Sequence, residues 1–389
     1  MSSHSPFGGV KVIDVDAHYS EPADLWTSRA PHNMKDRLPQ IRVVDGVRTW
    51  SVEGKPMGLR CASSAIDKQG VRRFALDVVS MQLEDVHPSS YDGKERVKIL
   101  DEAGIWAQIL YPNLLGFGGS SMTIADPELR LLTTQIYNDA MAQMQEESGN
   151  RLLPMGLLPW WDAKISADEA RRIKKLGLRG VNMNPDPESA GVPDIGDRYW
   201  DPLWEVCSDL SLPVNFHIGA GEEAFKDATT GNWASLNDSK KIALSGVTLF
   251  LGNARVLAHL LISGLLERYP KLKFVSVESG IGWIPFLLQA LDYQVEGAGP
   301  KAFSNLSMKP SEYFRRQVYS CFWFERTDLA KLVRDVGVDN VMFETDYPHP
   351  ACLHPAPLDY CADALASLDL ASQRKIMGEN AAKLYSVAI

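Results

Sequence analysis

The chain has 389 residues, 45% of them apolar and 23% charged, a composition that suits a globular protein with a large buried core. A formal net charge of −9 and a pI near 5.5 argue against a nucleic-acid partner or an anionic membrane surface, leaving small molecules as the expected partners. No run reads as a membrane span of about 20 apolar residues, and residues 1–9 lack the cationic and apolar regions of a signal peptide, so the expected location is cytoplasmic.

Residues 10–22, Val-Lys-Val-Ile-Asp-Val-Asp-Ala-His-Tyr-Ser-Glu-Pro, read as a buried strand that runs out into Asp16, His18 and Glu21. Alternate residues of a strand share a face, so Asp16 and His18 point the same way and could grip one divalent ion. The same pair also fits an aspartate capping a turn and a hydrogen-bonded core histidine. Residues 29–95 mix Pro, Gly and charge, with strand-like pieces at 40–44 and 48–52, and read as an excursion over one barrel mouth. A regular alternation follows. Residues 105–112 are an apolar strand; Asp126 and Pro127 supply a cap and first-turn proline for a helix over 128–147. Residues 151–161 give another strand, and Ser166-Ala-Asp-Glu169 reads as a capping box for a helix ending at Gly177. A strand over 177–185 and a helix over 202–210 lead into a strand over 212–218. Residues 219–252 are polar, too long for an ordinary connection, and are expected to form a lid. Beyond them come a helix (256–269), a strand (273–279), a helix (284–295), a strand (318–324), a helix (328–336), a strand (340–346) and helices over 358–368 and 371–385.

Strands starting near 10, 105, 152, 178, 213, 273, 318 and 340 number eight, nearly all apolar throughout and nearly all followed by helix. That pattern predicts a single α/β domain over 1–389, a (β/α)₈ TIM barrel. A doubly wound open sheet is the runner-up, but no G-x-G-x-x-G follows any strand. In such a barrel the active site lies at the C-terminal strand ends. Those ends offer Asp16, His18 and Glu21; Asn215 and His217; Glu278; Glu325; and Glu344, Asp346 and His349. Unpaired buried charges cost several kcal/mol each, a cost that a shared divalent cation offsets. His349 fits either a group that reaches substrate or one that supports a metal ligand. Trp160, Trp161, Trp283, Phe322 and Trp323 could line an apolar substrate pocket or belong to the core. Glu325 fits a metal ligand, a support for one, a partner of Arg326 or a substrate contact beside those tryptophans, while His259, among Leu257, Leu260 and Leu261, reads as a core histidine. The five cysteines, Cys61, Cys207, Cys321, Cys352 and Cys361, are scattered without a C-x-x-C pair and are expected to be reduced.

Several motifs in this order carry a family resemblance: Asp16-Ala-His18 with Glu21-Pro22, His217 ending the fifth strand, Ser263-Gly-Leu-Leu-Glu-Arg-Tyr-Pro270, Glu344-Thr-Asp-Tyr-Pro-His349 and Ile376-Met-Gly-Glu-Asn-Ala-Ala382. Over nearly its whole length the chain resembles the amidohydrolase-related family of the amidohydrolase superfamily. Many members open with H-x-H and end strand six in histidine, whereas this chain has Asp16 and Glu278 there. The resemblance implies metal ligands among Asp16, His18, Glu21, His217, Glu278 and Asp346, catalytic roles for Asp346, Glu278 and His349, and a homodimer. Oxygen donors in place of nitrogen favour iron or manganese over zinc. The expectation is therefore a match to the carboxylate-rich branch: a nonheme diiron monooxygenase using two Fe and O₂ on a small organic or CoA-linked substrate. The alternative is a metal-dependent hydrolase or nonoxidative decarboxylase, with Mn or Zn as the alternative metals.

Overall fold

A computed structural model describes residues 6–57, 62–74, 81–117, 120–221 and 233–389. Its strands, in chain order, are β1 (Val12–Tyr19), β2 (Gln40–Val44), β3 (Val47–Val52), β4 (Lys55–Pro56), β5 (Ile105–Pro112), β6 (Leu152–Pro154), β7 (Gly156–Leu157), β8 (Val181–Asn182), β9 (Val214–His217), β10 (Phe274–Val277), β11 (Val318–Phe322) and β12 (Val341–Phe343). Parallel pairing runs β1-β5-β6 and β7-β8-β9-β10-β11-β12. Met155 joins the two runs, its N–H bonding Leu110 O at 2.9 Å while Gly156 N–H bonds Gly180 O at 3.0 Å. The cylinder closes where Asp346 N–H donates to Asp16 O (2.9 Å) and His18 N–H to Tyr347 O (2.7 Å), with a parallel bridge between Ala17 and Tyr347. Counting β6 and β7 as one interrupted strand gives the eight-stranded (β/α)₈ barrel expected, with β2, β3 and β4 forming a small antiparallel sheet within the excursion.

The barrel interior is filled by Ile13, Val15, Ile109, Leu153, Met155, Val275, Val277, Cys321 and Met342. One end is stoppered by the last helix, Asn380–Tyr385: Tyr385 Oη donates to Asn215 Oδ1 at 2.6 Å, and Tyr111 Oη reaches the same oxygen at 3.1 Å. This leaves the opposite end, where the strands terminate, for the polar residues. A larger apolar layer, including Trp26, Trp200, Trp204 and Phe314, lies between strands and outer helices.

Local sequence chemistry explains most helix starts. Asp126 Oδ1 accepts from Glu128 and Leu129 N–H at the head of helix Pro127–Glu147. The next helix, Ala163–Lys175, begins earlier than the capping box suggested: Asp162 is the cap, bonding Ile165 N–H at 2.8 Å, while Ser166 Oγ turns back to Pro159 O. The largest difference lies after β9. Asp238–Ile262 is one helix of 25 residues, capped by Asn237, where a polar loop to Gly252 was expected. Only its C-terminal part is anchored, through Asn253, Leu257, Leu260 and Leu261, and the part before Asn253 exposes Ile242, Val247 and Leu251. Without one consistently buried stripe, no helical period stands out in the sequence. This helix is also long and apolar enough to cross a membrane by length and composition, contrary to the reading that no run approaches a span. Residues 222–232 of the expected lid lie outside the described residues. Cys207, Cys321, Cys352 and Cys361 are buried free thiols; Cys61 lies outside the described residues.

Candidate metal centre

Strand β1 is buried along its whole length, and a register shift between Asp14 and Ala17 brings Asp16 and His18 to the barrel side with Ile13 and Val15, while Asp14 bonds Gln108 on the other face. His217 ends β9, Glu278 follows β10, and Asp346 and His349 follow β12. These strand ends converge. One ligand atom from each of Asp16, His18, His217 and Glu278 lies within 4.8 Å of the others, as do those of His18, Glu278, Asp346 and His349. His18 Nε2 faces His217 Nε2 at 3.0 Å and stands 3.7 Å from both Asp16 Oδ1 and Asp346 Oδ1. Glu278 Oε2 lies 3.1 Å from His217 Nε2, and His349 Nδ1 lies 3.0 Å from Asp346 Oδ1.

The backbone is bent to bring two of these carboxylates in. Glu278 and Asp346 both have left-handed backbones, with φ of 55° and 57°. Such conformations cost non-glycine residues of order 1–3 kcal/mol and persist where the surroundings hold them. Here Glu278 N–H is held by Glu344 Oε2 (3.2 Å) and Asp346 N–H by Asp16 O.

Electrostatically the site asks for a cation. Burial raises the Asp16 carboxyl, and raises those of Glu344 and Asp346 well above the ordinary carboxylate range, with neighbouring carboxylates adding to the effect in the last two. Glu278 is pushed up to about 8 by burial, a rise that His217 opposes and Asp16 assists. Burial lowers His18, and lowers His349 to about 3. Both oxygens of Asp16 and of Asp346, and Oε1 of Glu344, are buried without a hydrogen-bond partner. A divalent metal ion is the group this donor set fits: it compensates charge and supplies the partners those oxygens lack.

Supporting residues fix the histidines. His217 Nδ1 contacts Ile218 O at 2.8 Å, which leaves Nε2 facing the donors. His349 Nε2 bonds Asn113 Oδ1 at 2.9 Å and its ring stacks on His18 with centroids 3.6 Å apart. Arg96, fully buried, donates to His18 O (2.6 Å), Ser89 O (2.6 Å) and Gln108 Oε1 (2.8 Å); Gln108 in turn bonds Asp14 Oδ2 (2.7 Å), and Thr345 N–H bonds Asp14 Oδ1 (2.8 Å). Phe117 packs its ring within 5.6 Å of His18 and 5.0 Å of His217. Sequence reasoning missed Asn113, Arg96 and Phe117. Asn113 directly follows the second barrel strand and was legible as a strand-end residue; Arg96, on an outer helix, and Phe117, in a loop, carry no such signal.

Other expected site residues sit elsewhere. Glu21 falls outside both donor groups, its Oε1 accepting from Asn113 and Leu114 N–H at 2.9 and 3.0 Å. Glu325 is likewise outside them, accepting from Ile281, Gly282 and Trp323 N–H and so tying two strand-end loops together. Trp160 bonds Ser121 Oγ at 3.1 Å and lines a small cavity at the mouth. Trp283 is half-buried, bonding Ser279 O at 2.8 Å, and Trp323 is buried against Phe250. His259, expected in the core, instead pairs with Asp194 at 3.1 Å on a part-exposed helix face.

A closed parallel barrel with histidines and carboxylates gathered at its strand ends defines a metal-dependent barrel enzyme of the amidohydrolase type. The amidohydrolase family model matches residues 13–387, and the chain belongs to that family. A gamma-resorcylate decarboxylase from Polaromonas sp. is 27% identical over 303 residues, covering 75% of this chain and 86% of the relative. Among solved structures, an amidohydrolase from Mycobacterium avium subsp. paratuberculosis superposes with a TM-score of 0.75 at 22% identity, covering 98% and 99% of the two chains. A dihydroxybenzoic acid decarboxylase from Polaromonas sp., with bound manganese and 2-nitroresorcinol, has a TM-score of 0.64 at 20% identity, covering 97% of each.

These relatives overturn the expected diiron monooxygenase. Decarboxylases, one of them solved with bound manganese, are prominent among the proteins the chain matches, in line with the alternative reading. The inference from hard oxygen donors to O₂ chemistry failed because donor hardness sets metal preference, and manganese satisfies it without a redox reaction. Neither two iron ions nor O₂ dependence has support in these relatives.

Proposed function

We propose that this protein is a metal-dependent nonoxidative decarboxylase that releases CO₂ from an aromatic carboxylic acid of the hydroxybenzoate type. The observation that carries the reading is the convergence of Asp16, His18, His217 and Glu278, with Asp346 and His349 beside them, into one buried donor group; the decarboxylase relatives supply the reaction. Asp16, His18, His217 and Glu278 would hold a single divalent ion, with manganese the best-supported choice. When bound, that ion supplies positive charge to anchor a substrate oxygen and polarise the ring.

The chain's own residues do the rest. The reaction exchanges a carboxylate for hydrogen: a proton adds to the ring carbon, the bond from that carbon to the carboxylate breaks, and its electron pair returns to the ring as CO₂ leaves. The proton is held between Asp346 and His349. Because burial opposes charge on the imidazole and raises the Asp346 acid, the proton sits on Asp346, whose Oδ1 lies 3.0 Å from His349 Nδ1, while Asn113 Oδ1 holds His349 through Nε2. Phe117, packed beside His18 and His217, would shield the ring carbon from water and favour delivery of that proton.

Manganese-loaded protein should release CO₂ from 2,6-dihydroxybenzoate or 5-carboxyvanillate under strict anaerobiosis. In D₂O the product should carry one deuterium at the carbon that lost its carboxylate. Failure to release CO₂ from a panel of hydroxybenzoates by the fully metal-loaded protein would overturn the proposal.

A further inference from the structure

Beside the metal centre lies a second, neutral polar cavity. It is small, about 20 Å³, and is bounded by Asn182, Asn184, Trp160, Ser121, Gly116 and Ala220. Two of its lining residues connect it to the metal site. Gly116 precedes Phe117, whose ring covers the histidines, and Ala220 N–H bonds the carbonyl of His217 at 3.2 Å.

Two of its wall residues carry unmet hydrogen-bonding capacity. Asn182 and Asn184 are each 5% exposed, and Asn182 Oδ1 and Asn184 Nδ2 have no partner. The orientation of Asn184 is set from outside the cavity, since its Oδ1 accepts from Asp186 N–H at 3.0 Å and its Nδ2 is thereby left over. Trp160 cannot supply the missing bond, because its N–H is committed to Ser121 Oγ. Buried amides left in this state are destabilising and mark a place where a bound group completes the pairing.

One free acceptor and one free donor, two residues apart in the cavity wall, are matched by a single group that both donates and accepts. A hydroxyl does this, and the cavity has room for about one oxygen-sized group. A carboxylate does not fit: it would set a second acceptor against Asn182 Oδ1, and no charged side chain among the described residues lines the cavity to neutralise it. We infer that Asn182 and Asn184 form a specificity subsite for a neutral hydroxyl of the aromatic substrate, Asn182 Oδ1 accepting its proton and Asn184 Nδ2 donating to its oxygen. This rests on the decarboxylase reading of the neighbouring metal site for the kind of substrate, while the subsite itself rests on the two amides.

The test uses unreactive ligands. Calorimetry on the manganese-loaded protein compares 2-nitrophenol with its four singly ring-hydroxylated derivatives. At least one derivative should bind tenfold or more tightly than 2-nitrophenol, because a site built to hydrogen-bond a hydroxyl strongly rejects the analogue lacking it. That preference should collapse toward unity in N184D, which keeps the acceptor for Asp186 N–H, and in N182S, while affinity for 2-nitrophenol itself is retained. The inference is overturned if no derivative exceeds 2-nitrophenol, including the case where none of the five binds, or if the preference survives in whichever of the two variants folds. None of these ligands can be decarboxylated, so an intact preference in a protein that releases no CO₂ would count against the proposed reaction and not against the subsite.

Discussion

Metal affinity should rise steeply with pH, by an amount that follows from the burial of Glu278. Its carboxyl is raised from 4.5 to about 8, first by burial and then by Asp16, against the opposing pull of His217. A carboxylate must lose its proton before it can coordinate, so below about pH 8 each ion that enters expels one proton from Glu278. Linkage then makes the dissociation constant fall about tenfold per pH unit well below pH 8, flattening near it, or about 50-fold between pH 6 and pH 8. His217 steepens the dependence. Burial alone would lower its imidazole, but Asp16 and Glu278 outweigh that and raise it, so a second proton is displaced over part of the range. The sign for stability is opposite. An acid raised in the fold stabilises the metal-free protein fully below its unfolded value of 4.5, and that contribution is lost as pH rises through about 8. The gain in melting temperature on adding Mn²⁺ should therefore be larger at pH 8 than at pH 6. Titration calorimetry at pH 6, 7 and 8, in buffers of different ionisation enthalpy, counts the protons directly, and Glu278→Gln should release about one fewer. An affinity constant within threefold across this range, with no proton released, would refute the reasoning.

Two further substitutions probe the supports of the site. Arg96→Met leaves three buried acceptors unpaired, Ser89 O, Gln108 Oε1 and His18 O; at about 1–3 kcal/mol each, taken as less than additive, the loss is about 3–6 kcal/mol. With an unfolding entropy of about 2.1 cal/mol/K per residue, this is a drop in melting temperature of about 4–7 °C, and a calorimetric change under 1 °C would contradict it. Asn113→Ala removes the acceptor that fixes the tautomer of His349. CO₂ release should slow by about 10- to 100-fold at saturating substrate with Mn²⁺ affinity unchanged; a full-rate variant would dismiss the Asp346–His349 proton pair.

The sequence by itself determined the barrel and much of its site. Apolar strands buried on both faces, separated by capped helices, leave little alternative to a closed parallel sheet, and the strand period alone aims Asp16 and His18 along one face. His217, Glu278 and Asp346 were legible for the same reason: each is ionisable and stands where an apolar strand ends. Tertiary structure decided what periodicity cannot express. Closure of the cylinder brings residues some 200 to 330 positions apart into one donor group, a matter of register between strands that no local pattern records. Left-handed turns at Glu278 and Asp346 depend on hydrogen bonds that their N–H groups donate to Glu344 and Asp16, so they arise only once those strands are neighbours. Glu21 shares the polar strand end with Asp16 and His18, yet the loop it meets claims its oxygen for two backbone amides. Asn182 and Asn184, unremarkable in the sequence, gain their meaning from the cavity wall, because an amide is short of a partner only relative to what packs around it.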